Sequence, residues 1–375
     1  MYKVLIIAYT ELNSDPRPLK QIKILKEKFE VTSIGLKASN EEQKFYKLNK
    51  RSILKEALDL RYLFTKNYEK YFWTDERIEI VNQLKGCRFD CIIAHNELAI
   101  PLALKIDHNA KIILDAHEYF PEEESGTPLG RINKKFREYI MKTYSKIPSV
   151  TISVSENISK RYLEKWGIKS IVVTNLPKFH NIKPTLVNPQ KIKLVHHGIV
   201  TPTRKIEKMI NVLKELGDNY ELTFFLQSSR LNYFYFKKLK KMCRHINNII
   251  FKDHVPFDEI ISTLNNFDIG LYILPPTNEN LKFALPNKFF DFIQSRLAIA
   301  IGPSTEMEKI VMKENIGIVA ENFEPASMAK KIKSLTVEEI QNYKSNCDKI
   351  ALKYSYEKYA SELINMVNEL VTVRV

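Results

Sequence analysis

The chain has 375 residues, of which 44% are hydrophobic and 27% charged, and a formal net charge of +14. That length exceeds what a single hydrophobic core serves, so two domains are expected, and the composition excludes a disordered chain. No apolar run approaches the ~20 residues that span a bilayer, and the charge calls for an anionic partner: nucleotide phosphates, an anionic membrane surface or nucleic acid.

At the N-terminus, Met1–Ala8 carries one charge before a short apolar run, and Thr10 and Glu11 follow. This reads as a first buried strand rather than a signal peptide. Helical spacing of Leu19, Ile22 and Leu25 predicts a helix over Pro18–Lys28, followed by strands at Val31–Gly35 and Cys91–Ala94. A helix at Leu98–Lys105, a strand at Lys111–Asp115, a helix at Ile132–Tyr144, a strand at Val150–Val154, a helix at Glu156–Trp166 and a strand at Ser170–Val173 continue the alternation. Asn175–Gln190 holds Pro177, Pro184 and Pro189 with little periodicity, the mark of a linker. A second series starts with a strand at Ile192–Gly198 and a helix at Ile206–Leu216. Strands at Glu221–Gln227, Ile249–Lys252, Ile269–Ile273 and Leu297–Ile301 follow, with helices at Leu231–Cys243, Phe257–Leu264 and from Pro286, and a tail helix at Tyr356–Leu370. Short apolar strands alternating with helices predict parallel sheets covered on both faces, whose ligands lie beyond the carboxyl ends of the strands. The expected fold class is therefore α/β with two Rossmann-like domains. The expected boundaries are an N-terminal domain over 1–176, a linker over 177–190, a C-terminal domain over 191–355, and a C-terminal helix over 356–375 that packs back on the first domain.

The segment Ala284-Leu285-Pro286-Asn287-Lys288-Phe289-Phe290-Asp291 carries the most chemistry. Proline tolerates a first helical turn, whose free N–H groups attract an anion, and Lys288 adds a point charge beside them. Asp291, one turn on, can accept hydrogen bonds from sugar hydroxyls. A phosphate end and a ribose end on one helix point to a nucleotide-sugar donor. Cys87, Cys91, Cys243 and Cys347 form no metal-like cluster and read as reduced thiols of a cytoplasmic protein. No Asp-x-Asp pair suggests a metal, and no cofactor is expected.

Five segments in order resemble the retaining GT-B glycosyltransferases, close to glycosyltransferase family 4 and its bacterial surface-polysaccharide members. They are Asp15-Pro16-Arg17-Pro18-Leu19; Asp115-Ala116-His117-Glu118; Val154-Ser155-Glu156-Asn157 with Thr174-Asn175-Leu176-Pro177; His197-Gly198-Ile199 through Arg204-Lys205-Ile206-Glu207; and Pro286-Asn287-Lys288 with Asp291. The resemblance implies a GT-B architecture, two domains facing each other across a cleft. It also implies transfer of a sugar from a nucleoside diphosphate sugar to a hydroxyl of a glycan or lipid-linked acceptor, with retention of configuration and without metal. His117 would face the reacting centre; Arg204, Lys205, Lys288 and the Gly198 loop would hold the donor diphosphate; Asp291 would meet the ribose. Arg17, His95, Asp115, Glu118 and Asn287 are candidate acceptor or sugar contacts. Two positions depart from the family pattern: Ile199 stands where a basic residue commonly follows the glycine, and Phe283 replaces the earlier of two glutamates eight positions apart.

Each residue has a structural alternative. His117 can cap its turn, Asp115 and Glu118 can fix it, His95 can be a satisfied loop histidine, and Arg204 can be a solvated helix-start charge. Lys44–Trp73 interleaves eight basic residues with aromatics. That stretch suits either a surface resting on anionic lipid or the buried face of a helical hairpin, whereas Tyr233–Lys238 reads as a helix with a core face and solvated lysines. A nucleotide-sugar 2-epimerase of the same architecture is the rival enzyme. A nucleic-acid binder is suggested by charge alone, lacks a recognised module, and is not expected.

Overall fold

The computed structural model describes residues 1–116, 118–122, 128–256 and 258–372. The chain divides into two compact units, Met1–Thr174 with Tyr359–Val375, and Asn175–Lys358.

In the first unit the elements run β1 (Lys3–Ile7), α1 (Pro16–Leu25), β2 (Glu30–Gly35), β3 (Lys44–Lys47), α2 (Ile53–Phe64), α3 (Tyr68–Phe72), α4 (Asp75–Gln83), β4 (Cys91–His95), α5 (Ala99–Ile106), β5 (Lys111–Ala116), α6 (Pro128–Tyr144), β6 (Val150–Ser153), α7 (Glu156–Trp166) and β7 (Ile171–Val172). The strands form one sheet in the order β3-β2-β1-β4-β5-β6-β7. Every pairing is parallel, with Val4 opposite Val31 and Cys91, and Asp115 opposite His95 and Ile152. β1 and β4 are buried on both faces, which is why they read as unbroken apolar runs. α1 begins two residues earlier than its apolar spacing suggests. Asp15 caps it by accepting from the Arg17 amide at 3.3 Å, and Pro16 takes the first helical position.

Lys44–Trp73 is not a simple hairpin. Its first four residues add an edge strand beside β2, and two helices follow. Tyr68 and Tyr71 pack on Phe136 with ring centroids 5.9 and 4.9 Å apart, and Phe72 is buried. The exposed apolar side chains of the stretch are instead Ile53, Leu54, Leu58 and Phe64 of α2.

In the second unit come β8 (Ile192–Ile199), α8 (Glu207–Leu216), β9 (Tyr220–Gln227), α9 (Tyr233–Met242), β10 (Ile249–Lys252), α10 (Ile260–Leu264), β11 (Ile269–Tyr272), α11 (Glu279–Lys282), α12 (Asn287–Gln294), β12 (Ala298–Ile301), α13 (Thr305–Glu314), β13 (Gly317–Val319), α14 (Pro325–Lys333) and α15 (Val337–Ile350). Its six strands, all parallel, run β10-β9-β8-β11-β12-β13. α13, β13, α14 and α15 were not distinguished in the sequence. α15 is secured by a capping box between Thr336 and Glu339. The last helix, α16 (Tyr356–Thr372), starts in the second unit and belongs to the first from Tyr359 onward.

The proline-rich segment from Asn175 is laid on the second unit. Val187 lies in its core, His180 and Thr185 exchange hydrogen bonds with Gln294, Arg296, Asn265 and Lys344, and the Val187 amide donates to Gln341. Proline removes donors, so here side chains of the domain complete the backbone bonding that a strand would otherwise provide.

Candidate functional site

In the second unit the carboxyl ends of β8 and β11 bring together Gly198, Arg204, Lys288 and two histidines. α12 reaches this edge because Gly270 of β11 has no side chain. A Cβ there would sit 2.5 Å from the Phe292 ring, so only glycine lets the helix lie this close. Pro286 is the cap of α12 rather than its first-turn residue, with φ −72° and ψ 146°, and Asn287 starts the helix. Asn287 is exposed and its side-chain oxygen accepts from Asn175 at 2.9 Å.

Lys288, one residue into α12, is 5% exposed. Its Nζ lies 3.3 Å from His196 Nε2 and 4.6 Å from the centre of the Tyr272 ring. His196 Nδ1 is 3.0 Å from the Leu271 carbonyl, which can only accept, so Nδ1 carries the hydrogen and Nε2 accepts from the lysine. Burial, and then Lys288 itself, hold His196 well below the ordinary imidazole range and keep it neutral. Burial does the same to Lys288, pushing it well below the ordinary lysine range; Arg204 adds to the effect and Asp291 opposes it. Gly198, at φ +124°, completes the arrangement. A Cβ on it would come 2.8 Å from Lys288 Nζ and 3.8 Å from Arg204 Nη1.

A second buried lysine shows what is unusual here. Lys344 Nζ is satisfied by the Phe267 carbonyl at 2.7 Å, Thr185 Oγ1 at 3.0 Å and the Asp268 carboxylate at 3.3 Å. Lys288 has no ion-paired carboxylate among the described residues; it faces a neutral histidine, an aromatic ring and a guanidinium. Two cations gathered at a strand-end edge, with a helix N-terminus beside them, form a place for an anion.

The other residues expected on the donor side fall around this point. Arg204 is half-buried, while Lys205 is exposed in a left-handed turn at φ +50°. Asp291 is 5% exposed, and His197 Nε2 lies 3.4 Å from its Oδ2. Burial, with Lys288 next, keeps His197 well below its ordinary range. Ile199 is half-exposed at the strand end, where it offers an anion nothing. His196 and Tyr272, which orient the lysine, were missed in the sequence. Their signal was alternation: His196 shares the inward face of β8 with Leu194, and β11 is buried throughout.

In the first unit, Arg17 and Asp115 are turned on each other. Arg17 donates from Nε to both carboxylate oxygens at 2.9 and 2.8 Å and from Nη2 at 2.6 Å, and Nη1 reaches the Val173 carbonyl at 3.2 Å. Both side chains are buried. Burial would weaken the guanidinium's hold on its proton, but Asp115 raises it above its ordinary value. Gln21 also donates to Asp115 at 2.5 Å and to the Tyr359 hydroxyl at 3.1 Å, and His95 Nδ1 stands 3.7 Å from Asp115 Oδ2. Arg17, Asp115 and His95 thus form one buried polar cluster that ties α1, β4, β5 and α16 together. As placed, the pair is spent internally, because an ion pair removed from water must be closed on itself to be tolerated. Glu118 is exposed, and its carbonyl lies 3.0 Å from the Tyr162 hydroxyl, which also donates to buried Glu97. His117 lies outside the described residues.

No family model matches the chain, and no match is found among curated proteins. Solved structures do match. HepE of Anabaena, in complex with UDP and glucose, superposes with a TM-score of 0.73 at 12% identity over the full length of both chains. Sucrose-phosphate synthase of Thermosynechococcus elongatus gives 0.71 at 10% identity, again over both full chains. An E. coli trehalose-6-phosphate protein bound with UDP-2-fluoro glucose gives 0.71 at 9% identity over 99% of each. The chain has the GT-B fold. Within it, the Gly198–Lys288 edge belongs to the second Rossmann-like unit and the Arg17–Asp115 cluster to the first. No helix among the described residues is long and apolar enough to cross a membrane.

Proposed function

We propose that this protein is a glycosyltransferase that moves a sugar from a nucleoside diphosphate sugar to a hydroxyl of a glycan or lipid-linked acceptor, resembling the retaining enzymes of family 4. The observation that carries the reading is Lys288: a buried ammonium with no ion-paired carboxylate among the described residues, beside Arg204, over a glycine at the end of β8. A nucleoside diphosphate satisfies that arrangement and leaves the active site as an anion. Charge that develops on the leaving group is stabilised by Lys288, by the two parallel N–H groups of Arg204 and by the first amides of α12. These cations supply the charge a metal otherwise brings, so the reaction is taken to run without one. His196 aims Lys288 and, by staying neutral, adds no competing charge. Asp291 beside His197 is assigned to the ribose, Lys205 to the outer phosphate field, and Asn287 to a sugar hydroxyl.

On the first unit, His117 is assigned to the reacting centre, where it donates to a donor-sugar hydroxyl. The Arg17–Asp115–His95 cluster fixes the end of β5, after which His117 follows in the chain. Glu118 is assigned to the acceptor. Surface-polysaccharide synthesis in the bacterial cytoplasm, at the inner face of the membrane, is the setting that fits an acceptor carried on lipid.

The experiment is a thermal-shift screen of nucleoside diphosphates and their sugars, followed by product analysis with mixed acceptors. Binding stabilises by RT ln(1 + [L]/Kd), so the correct donor stands out. Release of nucleoside diphosphate that depends on acceptor supports transfer. A changed sugar formed from donor alone would establish the epimerase instead.

A further inference from the structure

α9 contributes none of the residues assigned above to the Gly198–Lys288 edge. Between Glu221 and Asp253 the chain contains no acidic residue but seven basic ones: Arg230, Lys237, Lys238, Lys240, Lys241, Arg244 and Lys252. All seven are exposed, and none forms an ion pair among the described residues. α9 is held by its other face. Leu239 is fully buried, Phe236 meets Phe251 with centroids 6.1 Å apart, and the Tyr235 hydroxyl accepts from the Ile206 amide at 3.0 Å and donates to Glu207.

At the leading end of this cationic face stand two bare apolar side chains, Leu231 at 93% exposure and Phe234 at 83%. They are three residues apart where a short 3-10 turn runs into the helix, so they project on one side. Leu231 follows the carboxyl end of β9, whose neighbour β8 ends in the Gly198 loop, so this tip lies on the same edge of the second sheet as the anion site.

We propose that α9 is a membrane-docking surface, with Leu231 and Phe234 entering the headgroup layer of an anionic bilayer and Lys237, Lys238 and Lys241 lying on its phosphates. Charge complementarity decides the occupant in favour of an anionic surface, and the apolar pair decides between a bilayer and a hydrophilic polyanion. A polyanion has nothing to cover an isolated leucine, whereas an interface takes up both the leucine and the lysine stems. The assignment does not depend on the reaction proposed above, and it concerns a different segment from Lys44–Trp73.

The test is flotation of the full chain with vesicles of phosphatidylcholine alone and of equal parts phosphatidylcholine and phosphatidylglycerol, at about 50 mM and about 500 mM salt. The wild type floats with the anionic vesicles at low salt only. Leu231→Ser with Phe234→Ser lowers the bound fraction roughly tenfold, and Lys237→Glu, Lys238→Glu, Lys241→Glu together abolish it. An Ile53→Ser, Leu58→Ser variant on α2 keeps most of the binding. All the side chains replaced on α9 are exposed, so melting temperatures stay at the wild-type value, and this is measured alongside. The proposal is overturned by wild-type flotation of the Leu231/Phe234 variant, by loss of flotation only in the α2 variant, or by equal binding to neutral vesicles. It is equally overturned if single-stranded oligonucleotide binds where vesicles do not, or if light scattering shows a dimer that the Leu231/Phe234 variant dissolves.

Discussion

Replacing Lys288 by methionine separates binding from stability. Methionine keeps the length of the side chain and much of its volume, so packing on Tyr272 survives and only the ammonium is removed. A hydrogen bond to a charged group is worth about 1.5–3 kcal/mol, and about 1.4 kcal/mol is a tenfold change in affinity. Nucleoside-diphosphate affinity should therefore fall by about 10- to 150-fold. Stability should move the other way. Burial holds Lys288 well below its unfolded value, so the unfolded chain binds more protons than the folded one between those two values. Stability from this residue is then lowest where the folded protein must keep the ammonium, and it rises with pH through that window. Removing the group relieves that cost, less what the Tyr272 ring and His196 return. The melting temperature of Lys288→Met without ligand should match or exceed wild type near neutral pH, while the stabilisation on adding excess nucleoside diphosphate shrinks by about 1.5–3 kcal/mol. In the wild type, affinity should decline as the solution is made more alkaline and Lys288 gives up its proton. Calorimetry and thermal shift on the same samples decide the matter. A variant that melts well below wild type yet binds with unchanged affinity would refute the reasoning, because Lys288 would then be a structural cation like Lys344.

Gly198→Ala should weaken donor binding while the chain stays folded: its Cβ would meet Lys288 Nζ at 2.8 Å, and φ +124° adds strain of about 1–3 kcal/mol; calorimetry with nucleoside diphosphate measures it. Gly270→Ala should destabilise the second unit and displace α12, since the new methyl meets the Phe292 ring at 2.5 Å, and urea unfolding together with donor affinity reports both effects. Asp115→Ala leaves Arg17 buried without its partner and should cost about 3–5 kcal/mol, seen as an early unfolding step by differential scanning calorimetry. Full stability in that variant would mean that Arg17 reaches solvent. His117→Ala should lower kcat and kcat/KM together with little change in donor affinity, whereas full turnover per folded molecule would assign His117 a structural role.

The regular elements were legible wherever one local signal sufficed. Helix α7 and strand β10 have the limits their sequence suggests, because Ser155 and Gly167 punctuate the one and an apolar run bounded by polar residues defines the other. Gly198 and Lys288 were each picked out in the sequence, the glycine through the family resemblance and the lysine through its place behind Pro286; that the two meet came from the structure. The elements between Gly302 and Ile350 were less legible. Their apolar residues are sparse, and α13, α14 and α15 are fixed by packing on β12, β13 and α8 rather than by their own periodicity. The edge strand β3 was also hidden, because four residues reading Lys-Phe-Tyr-Lys carry no period and gain strand geometry only from the backbone of β2.

What the sequence determined by itself was the alternation of strand and helix, hence two parallel sheets, and the basic residues that stand at the carboxyl edge of the second. Tertiary structure alone decided what those side chains face. It turned Arg17 and Asp115 inward on one another, placed His196 under Lys288, and left Lys288 short of the carboxylate that Lys344 has. The reason is physical. Strand and helix preferences act between near neighbours in the chain, whereas the partner of a buried charge is set by which distant segments exclude water from it. Arg17 finds its partner 98 residues away, and Lys288 finds His196 at a separation of 92.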